Sequence, residues 1–419
     1  MGLWYNQKMK LKKSISPGEE DPRYLSEQII TCIGNKRALL TFIGTAVDMV
    51  KKELGKDKLV IADMFSGSGV VSRYFKQHAA VLHVNDMEDY CRTINRCYLT
   101  NARQDEENTF FGQGVKRKEQ RNGKGWLFKN EEQAATKGGC PDMAELAAAY
   151  QRVVSGLKEA DLRPGFISEM YAPADDENIK AGERVFYTTR NAMYIDTARQ
   201  RIEELAEPYR TMLLAPLLCE ASVHTNTGGV FKGFYKNTKT GVGQFGGDGR
   251  HALQRIMADI HLQMPVFSRF ACDTEIHQRD ANQLAKELPP LDLAYMDPPY
   301  NQHPYGSNYF MLNLINNYER PEEVSRVSGI PTGWNKSQYN KKSTAFGAMK
   351  ALCQDLPAKY LLISFNDEGF IAAPEMVELL ESLGEVKVFD KEYNTFRGCR
   401  NLGNRSIYVK ELLYLVKKG

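Results

Sequence analysis

Lys58-Leu59-Val60-Ile61-Ala62-Asp63-Met64-Phe65-Ser66-Gly67-Ser68-Gly69 is the stretch on which the reading of the fold turns. A short apolar run that ends in a carboxylate and then a glycine-containing turn reads as a buried strand feeding a helix. The glycines allow a tight turn and let a ligand approach the backbone. Lys58–Met64 is therefore predicted as a strand and Gly69–Gln77 as a helix. The third glycine of the dinucleotide pattern is absent, and Ser72 stands in its place. No Gly-Lys-Ser/Thr follows, so the turn is not of the Walker type.

Outward from this turn the pattern is βαβα. Ala80–Val84 reads as a second strand and Met87–Leu99 as a second helix, while Ser26–Leu54 has helical spacing ahead of the first strand. Alternation of this kind predicts an α/β fold with a parallel, doubly wound sheet. From Ala102 to Leu262 the character changes. Gly112–Lys137 is basic and glycine-dotted, Pro141–Leu157 and Ala192–Leu205 look helical, and Thr225–Gly249 mixes glycines, aromatics and lysines. Alternation resumes afterwards. Pro265–Cys272, Leu291–Met296, Lys359–Ser364, Glu385–Phe389 and Ser406–Val416 read as strands. Tyr305–Asn317 and Ala373–Leu383 read as helices, and Glu323–Ala348 as a loop. The division expected is a catalytic part over 1–101 and 263–419, split by an inserted helical and loop-built module over 102–262.

The chain has 419 residues, 42% of them apolar and 26% charged, with a formal charge of +3. That is ordinary globular usage and excludes wholesale disorder. The apolar run Thr211–Cys219 is too short to span a bilayer and contains Pro216. Met1–Lys13 has no apolar run behind it, so no secretory leader is expected. The eight cysteines are scattered without a C-x-x-C pair, which points to reduced thiols in a cytoplasmic protein. Neither they nor the seven histidines form a metal pattern in sequence.

The second chemical signal is Asp297-Pro298-Pro299-Tyr300, directly after the predicted strand Leu291–Met296. Ligands of open α/β sheets bind at the C-terminal edges of strands. Two prolines stiffen the turn and donate no backbone hydrogen bond, so nearby carbonyls stay free to accept from an amine. Tyr300 offers a flat face for stacking. Asp86 lies about twenty residues beyond the glycine turn, where a carboxylate can accept from both hydroxyls of a ribose.

Asp63–Gly69 together with Asp297–Tyr300 resembles the amino methyltransferases that use S-adenosylmethionine (AdoMet). The order resembles the Dam-like alpha group of DNA adenine methyltransferases: Gly34-Asn35-Lys36-Arg37 first, then the glycine turn, a long insertion and the Asp-Pro-Pro-Tyr segment. The resemblance covers the first hundred or so residues and nearly everything after Asp273. It implies a Rossmann-like sheet and a site-specific methylation of an adenine flipped out of double-stranded DNA. Restriction–modification, with a cognate endonuclease, is part of that implication. It also implies that Lys36, Asp63, Phe65, Gly67 and Gly69 hold AdoMet, that Asp86 binds its ribose and that Asp280 accepts from its adenine amine. Asp297, Pro298, Pro299 and Tyr300 would hold the target base. Where such enzymes often carry an aromatic before the lysine, this chain has Cys32-Ile33.

Ser364-Phe365-Asn366-Asp367-Glu368-Gly369 resembles a recurrent Ser-x-Asn-x-x-Gly segment of the same enzymes, and is equally a strand-to-helix loop. Tyr393–Gly398, with Arg397, Arg400 and Arg405, lies before the last strand and has two readings: aromatics packed on the sugar of a flipped base with arginines on phosphates, or a hairpin with solvated arginines. Three basic-aromatic stretches suit DNA contact: Lys116–Lys129 with Trp126 and Phe128, Phe231–Lys236, and Trp334–Lys336 with Lys341 and Lys342. A monomer is expected, with one site for one flipped base. Other readings stay open at this level: an RNA guanine-amine or DNA cytosine-amine methyltransferase, and a catalytically silent DNA-binding module. An NAD-dependent oxidoreductase would leave Asp297–Tyr300 without a use.

Overall fold

The computed structural model describes residues 19–30, 34, 36–101, 141–247, 249, 252–366, 369–394 and 408–419. Its centre is one seven-stranded sheet in the order β3-β2-β1-β4-β5-β7-β6. The strands are β1 (Leu59–Asp63), β2 (Ala79–Asn85), β3 (Asp273–His277), β4 (Leu291–Met296), β5 (Ala358–Asn366), β6 (Gly384–Asn394) and β7 (Tyr408–Lys418). β1 to β5 pair in parallel, whereas β7 runs antiparallel to both β5 and β6. The doubly wound α/β sheet expected from the sequence is present.

β1 and β4 are neighbours at the centre, and the strand order reverses between them. Both are covered on both faces, which explains their nearly continuous apolar runs. Asp292 is the exception within β4. Its carboxylate is bonded by Lys56 at 2.7 Å and Lys359 at 3.2 Å, and accepts from the Val60 N–H at 3.1 Å. Two apolar layers flank the sheet. One joins β1, β2 and β4 to helix Leu40–Leu54 through Ile43, Val47 and Val50. The other joins β4 and β5 to helices Lys342–Asp355 and Ala373–Glu381 through Met349, Leu352, Met376 and Leu380.

The described part of the middle stretch is largely helical, with Met143–Val154, Phe166–Tyr171, Thr189–Glu203 and Tyr209–Val223. These helices share one core with Tyr90 and Tyr98 of helix Asp89–Tyr98 and with Phe310, Met311 and Ile315 of helix Phe310–Asn317. The apolar run around Pro216 is the buried body of a 15-residue helix. Among the described residues no helix is long and apolar enough to cross a membrane.

Several local expectations are corrected. Pro265–Cys272 is not a strand. Its backbone is satisfied by side chains instead: Gln28 Nε2 donates to the Met264 carbonyl at 2.8 Å, and Gln28 Oε1 accepts from the Val266 N–H at 2.9 Å. The strand begins at Asp273, where it is an edge strand with a weak apolar signature. The segment Glu323–Ala348 is not all loop. Helix Lys342–Asp355 starts within it, and its polar first turn hides the apolar face of Ala345, Ala348 and Met349. Tyr305–Asn317 is two helices, Tyr305–Asn308 and Phe310–Asn317, broken at Tyr309. Within Ser26–Leu54, the regular α-helix is Leu40–Leu54, preceded by a 3₁₀ turn over Lys36–Leu39. Lys116–Lys129, Cys32-Ile33 and Arg397, Arg400 and Arg405 lie outside the described residues.

Candidate active site

A cleft opens at the C-terminal edge of the sheet, over the point where β1 and β4 diverge. It is lined by Lys36, Asp63, Phe65, Gly67, Asp86, Glu88, Asp297 and Pro299, among others. This is the position that the topology of open α/β sheets prepares for ligands.

Asp63 ends β1 and is almost wholly buried. Its Oδ2 accepts from the Ser72 hydroxyl at 2.6 Å. Ser72, which occupies the third-glycine position, thus holds the carboxylate in place. Among the described residues, Asp63 Oδ1 has no hydrogen-bond partner, and Asp63 lines the cleft. Burial pushes the carboxyl up to about 7, and neighbouring Asp297 adds to the shift, while Ser72 and the nearby Phe65 amide oppose it.

The glycine turn is fixed from two sides. Gly67 N–H donates to Asp86 Oδ2 at 2.8 Å, and Asn95 Nδ2 donates to Ser66 Oγ at 2.9 Å. Gly69 has φ of +75°, and a Cβ there would lie 2.1 Å from Asn95 Oδ1. Its contribution is conformational, because the cleft is lined by Gly67, Ser68 and Val70 around it. Phe65 lines the cleft and meets Tyr339 edge-on, with ring centroids 5.2 Å apart.

Asp86 follows β2. Its Oδ1 accepts from the Glu88 N–H at 2.9 Å, so both oxygens already have a backbone donor. Burial raises this carboxyl above the usual range, partly offset by those amides. Glu88 was missed in the sequence, although it lies two residues beyond Asp86. It is buried in the same wall, accepts from Asn313 Nδ2 at 2.6 Å, and is raised to about 7 by burial and by Asp86. Asp280 caps helix Ala281–Leu284, its Oδ1 accepting from the Asn282 and Gln283 N–H groups at 3.0 and 3.1 Å. Its neighbours Arg279 and Ala281 line the cleft rather than Asp280 itself.

Opposite stands Asp297, directly after β4. Lys36 Nζ lies 3.1 Å from Asp297 Oδ1 and 2.9 Å from Glu411 Oε1. The lysine side chain is only 5% exposed and Glu411 1%. Glu411 also accepts from the Ser364 hydroxyl. Its presence here follows from strand direction: β7 is antiparallel, so its beginning lies beside the end of β5, with Glu411 paired to Asn366. Burial works against the Lys36 charge, but Asp297 and Glu411 outweigh it and hold the amine firmly cationic. Asp297 is raised above the usual carboxylate range by burial, with Lys36 pulling the other way.

Pro298 is buried and Pro299 lines the cleft. Tyr300 meets Phe365 edge-on at 6.1 Å, its carbonyl accepts from the Phe370 N–H at 3.0 Å, and Asn366 hydrogen-bonds its hydroxyl. The Ser364–Gly369 segment therefore supports the Asp297–Tyr300 turn from two sides: Ser364 through Glu411, and Phe365 and Asn366 through Tyr300. Within Phe231–Lys236, Phe231 and Phe234 are core residues packed around Phe186. The exposed members are Lys232 and Lys236, and Lys232 Nζ lies 3.3 Å from His303 Nδ1 just beyond Tyr300. Lys336 lies over Trp334 at 5.5 Å, and Asn335 between them donates to the Met87 carbonyl at 3.1 Å.

Carboxylates dominate this cleft, and Asp63 has an orphaned oxygen in it. Such a donor set fits a ligand that carries positive charge, as AdoMet does at its sulfonium and its ammonium. Fold and site together define an enzyme of the α/β methyltransferase class. The chain belongs to the D12 class N6 adenine-specific DNA methyltransferases, a family that matches residues 33–346. It is 27% identical over 394 residues to the type II methyltransferase M.NlaIII of Neisseria lactamica, covering 92% of this chain and 98% of that one. It is 30% identical over 277 residues to the type II methyltransferase M.CviAII of Paramecium bursaria Chlorella virus 1, covering 64% and 75% respectively. With the modification methylase StsI of Streptococcus sanguinis it shares 26% identity over 396 residues, 92% of this chain and 51% of that one. The protein is an adenine-specific DNA methyltransferase.

Proposed function

We propose that the chain transfers a methyl group from AdoMet to the exocyclic amine of an adenine flipped out of double-stranded DNA. The observation that carries this is the shared cleft: Asp63, with its unpartnered oxygen, and Asp297 face one space from the ends of two adjacent strands. When bound, AdoMet supplies a methyl already activated by its sulfonium. The chain's residues position and polarise what it attacks.

Asp63 holds the cofactor's ammonium, and Lys36 adds attraction for its carboxylate. Asp86 and Glu88 take the ribose side, Phe65 and the glycine turn form the wall, and Asp280 orders the backbone at the adenine end. On the base side, Asp297 and the Pro298 carbonyl accept from the two N–H groups of the target amine. An adenine amine is conjugated with its ring and is a weak nucleophile. Two acceptors favour a more tetrahedral nitrogen with its lone pair directed at the methyl. Catalysis is then positioning and preorganised electrostatics. A base inside a duplex cannot reach Asp297, so it is extruded, at a few kcal/mol of unstacking. Tyr300 recovers part of that by stacking, on the order of 1–3 kcal/mol.

Asp63 also sets a pH dependence. Its carboxyl is raised to about 7, so below that pH it is protonated and offers the ammonium no charge. Cofactor affinity is expected to rise as pH increases through this value. Asp63→Asn should weaken binding at pH 8 far more than at pH 6, as isothermal titration at both pH values would show. A pH-independent loss would assign Asp63 a purely structural role.

Tyr300→Ala is expected to shift the titration midpoint of a duplex with 2-aminopurine at the target position by roughly 10- to 100-fold. The cofactor dissociation constant should stay nearly unchanged. Equal losses on both sides would show that Tyr300 supports the cleft instead of capturing the base.

Sequence choice belongs, in this reading, to residues 102–262 with the exposed cations Lys232 and Lys336 on phosphates. The relatives named as modification methylases support a restriction–modification role, with a cognate endonuclease acting on the same DNA site. The chain works as an intracellular monomer.

A further inference from the structure

Three residues far apart in sequence converge on one point at the β2–β3 edge of the sheet. His83 lies on β2, and Glu275 and His277 lie two apart on β3, so both point to the same side. The parallel register places Glu275 directly beside His83. His83 Nδ1 is 3.3 Å from Glu275 Oε2 and 3.5 Å from His277 Nε2, and the three donor atoms all lie within 4.8 Å of one another. The two imidazoles are nearly parallel, with centroids 5.7 Å apart and planes 22° apart.

We propose that His83, Glu275 and His277 bind a divalent transition-metal ion, with zinc as the best match, at a site separate from the methyl-transfer cleft. Ligands about 2.0–2.1 Å from a tetrahedral zinc stand about 3.3 Å apart, and two of the separations here are close to that. Two imidazoles and a carboxylate are a zinc-type donor set. A single Nδ1 proton cannot satisfy two acceptors, whereas a cation satisfies all three lone pairs. Neutral imidazole is the ligating form. β3 is the edge strand, and Glu275 and His277 on it are half-buried.

The location gives the ion a consequence. The His277 carbonyl accepts from the Asp86 N–H at 3.4 Å. Asn85, next on β2, donates to the Arg279 carbonyl at 3.0 Å and accepts from the Arg279 N–H at 3.1 Å. A metal bridging β2 to β3 braces the strand ends that carry Asp86 and Arg279 into the cleft. Its role is structural, because the donor atoms lie on the strands and not among the groups facing the target amine.

The test uses the full-length chain, stripped with a chelator and then titrated with zinc against a chromophoric competitor. Stoichiometric binding and a zinc-dependent rise in melting temperature, absent with magnesium, are expected. His277→Ala should abolish stoichiometric binding, and Glu275→Gln, which keeps the shape of the edge, should weaken it at least about tenfold. Because both variants retain all eight cysteines, binding by thiols would survive in them. Cobalt substitution should give the visible bands of a tetrahedral nitrogen–oxygen site without thiolate charge transfer. No stoichiometric zinc in the wild type, or full retention in both variants, would overturn the assignment.

Discussion

Asp297→Ala is expected to lower methyl transfer by at least about 100-fold while leaving the binding of cofactor and DNA within a few-fold of wild type. The size follows from removing one preorganised partner of the reacting group, which costs about 10²–10³ in comparable sites. In the proposed arrangement binding survives because Asp297 faces the target amine, while Asp63 and Asp86 take the cofactor. The fold should survive too, since Lys36 keeps its 2.9 Å contact with Glu411. Asp297→Asn, which retains a carbonyl acceptor, should fall between wild type and alanine. Single-turnover rates with pre-bound DNA measure this directly. Turnover retained in Asp297→Ala would remove the residue from the reaction.

Lys36→Met is expected to have the largest effect on stability. It leaves Glu411 and Asp297 without the cation between them, and breaking a buried ion network in this way costs about 3–5 kcal/mol. Denaturant unfolding of both forms would read the loss. The same change should move activity along the pH axis. Asp297 must be ionised to accept from the amine, burial already raises it, and Lys36 pulls it down. Without Lys36 it rises further, so the acidic limb of the pH–rate profile should move to higher pH. An unmoved profile with only the cofactor KM raised would make Lys36 a cofactor ligand and nothing more.

The parts of this account that were legible in the sequence are those written in contiguous residues. Leu59–Gly69 and Leu291–Tyr300 each carry a buried strand and its chemistry in one segment, so the sheet centre and the two sides of the cleft could be read from local pattern. Contacts made across the chain were not legible. Glu411 reaches Lys36 only because β7 runs antiparallel beside β5, and nothing near Glu411 in sequence signals it. Glu88, two residues beyond Asp86, carries no sequence signal of its own, because a charged residue at the start of a helix is usually solvated. The aromatics of Phe231–Phe234 were read as nucleic-acid contacts but pack in the helical core, while Lys232 between them stays exposed. β3 was displaced by several residues because an edge strand needs only half an apolar pattern. Gln28 also borrowed the backbone of the more apolar stretch ahead of it.

The central claim is that this cleft methylates adenine at one DNA site through Asp297. Single-molecule sequencing with modified-base detection tests it on DNA from cells expressing the wild-type chain, the Asp297→Ala variant or neither. The account predicts N6-methyladenine at one short recurring motif in the first culture and at none in the other two. Unmodified adenine in cells holding folded, cofactor-bound wild-type protein would contradict it, as would modification surviving in the Asp297→Ala culture.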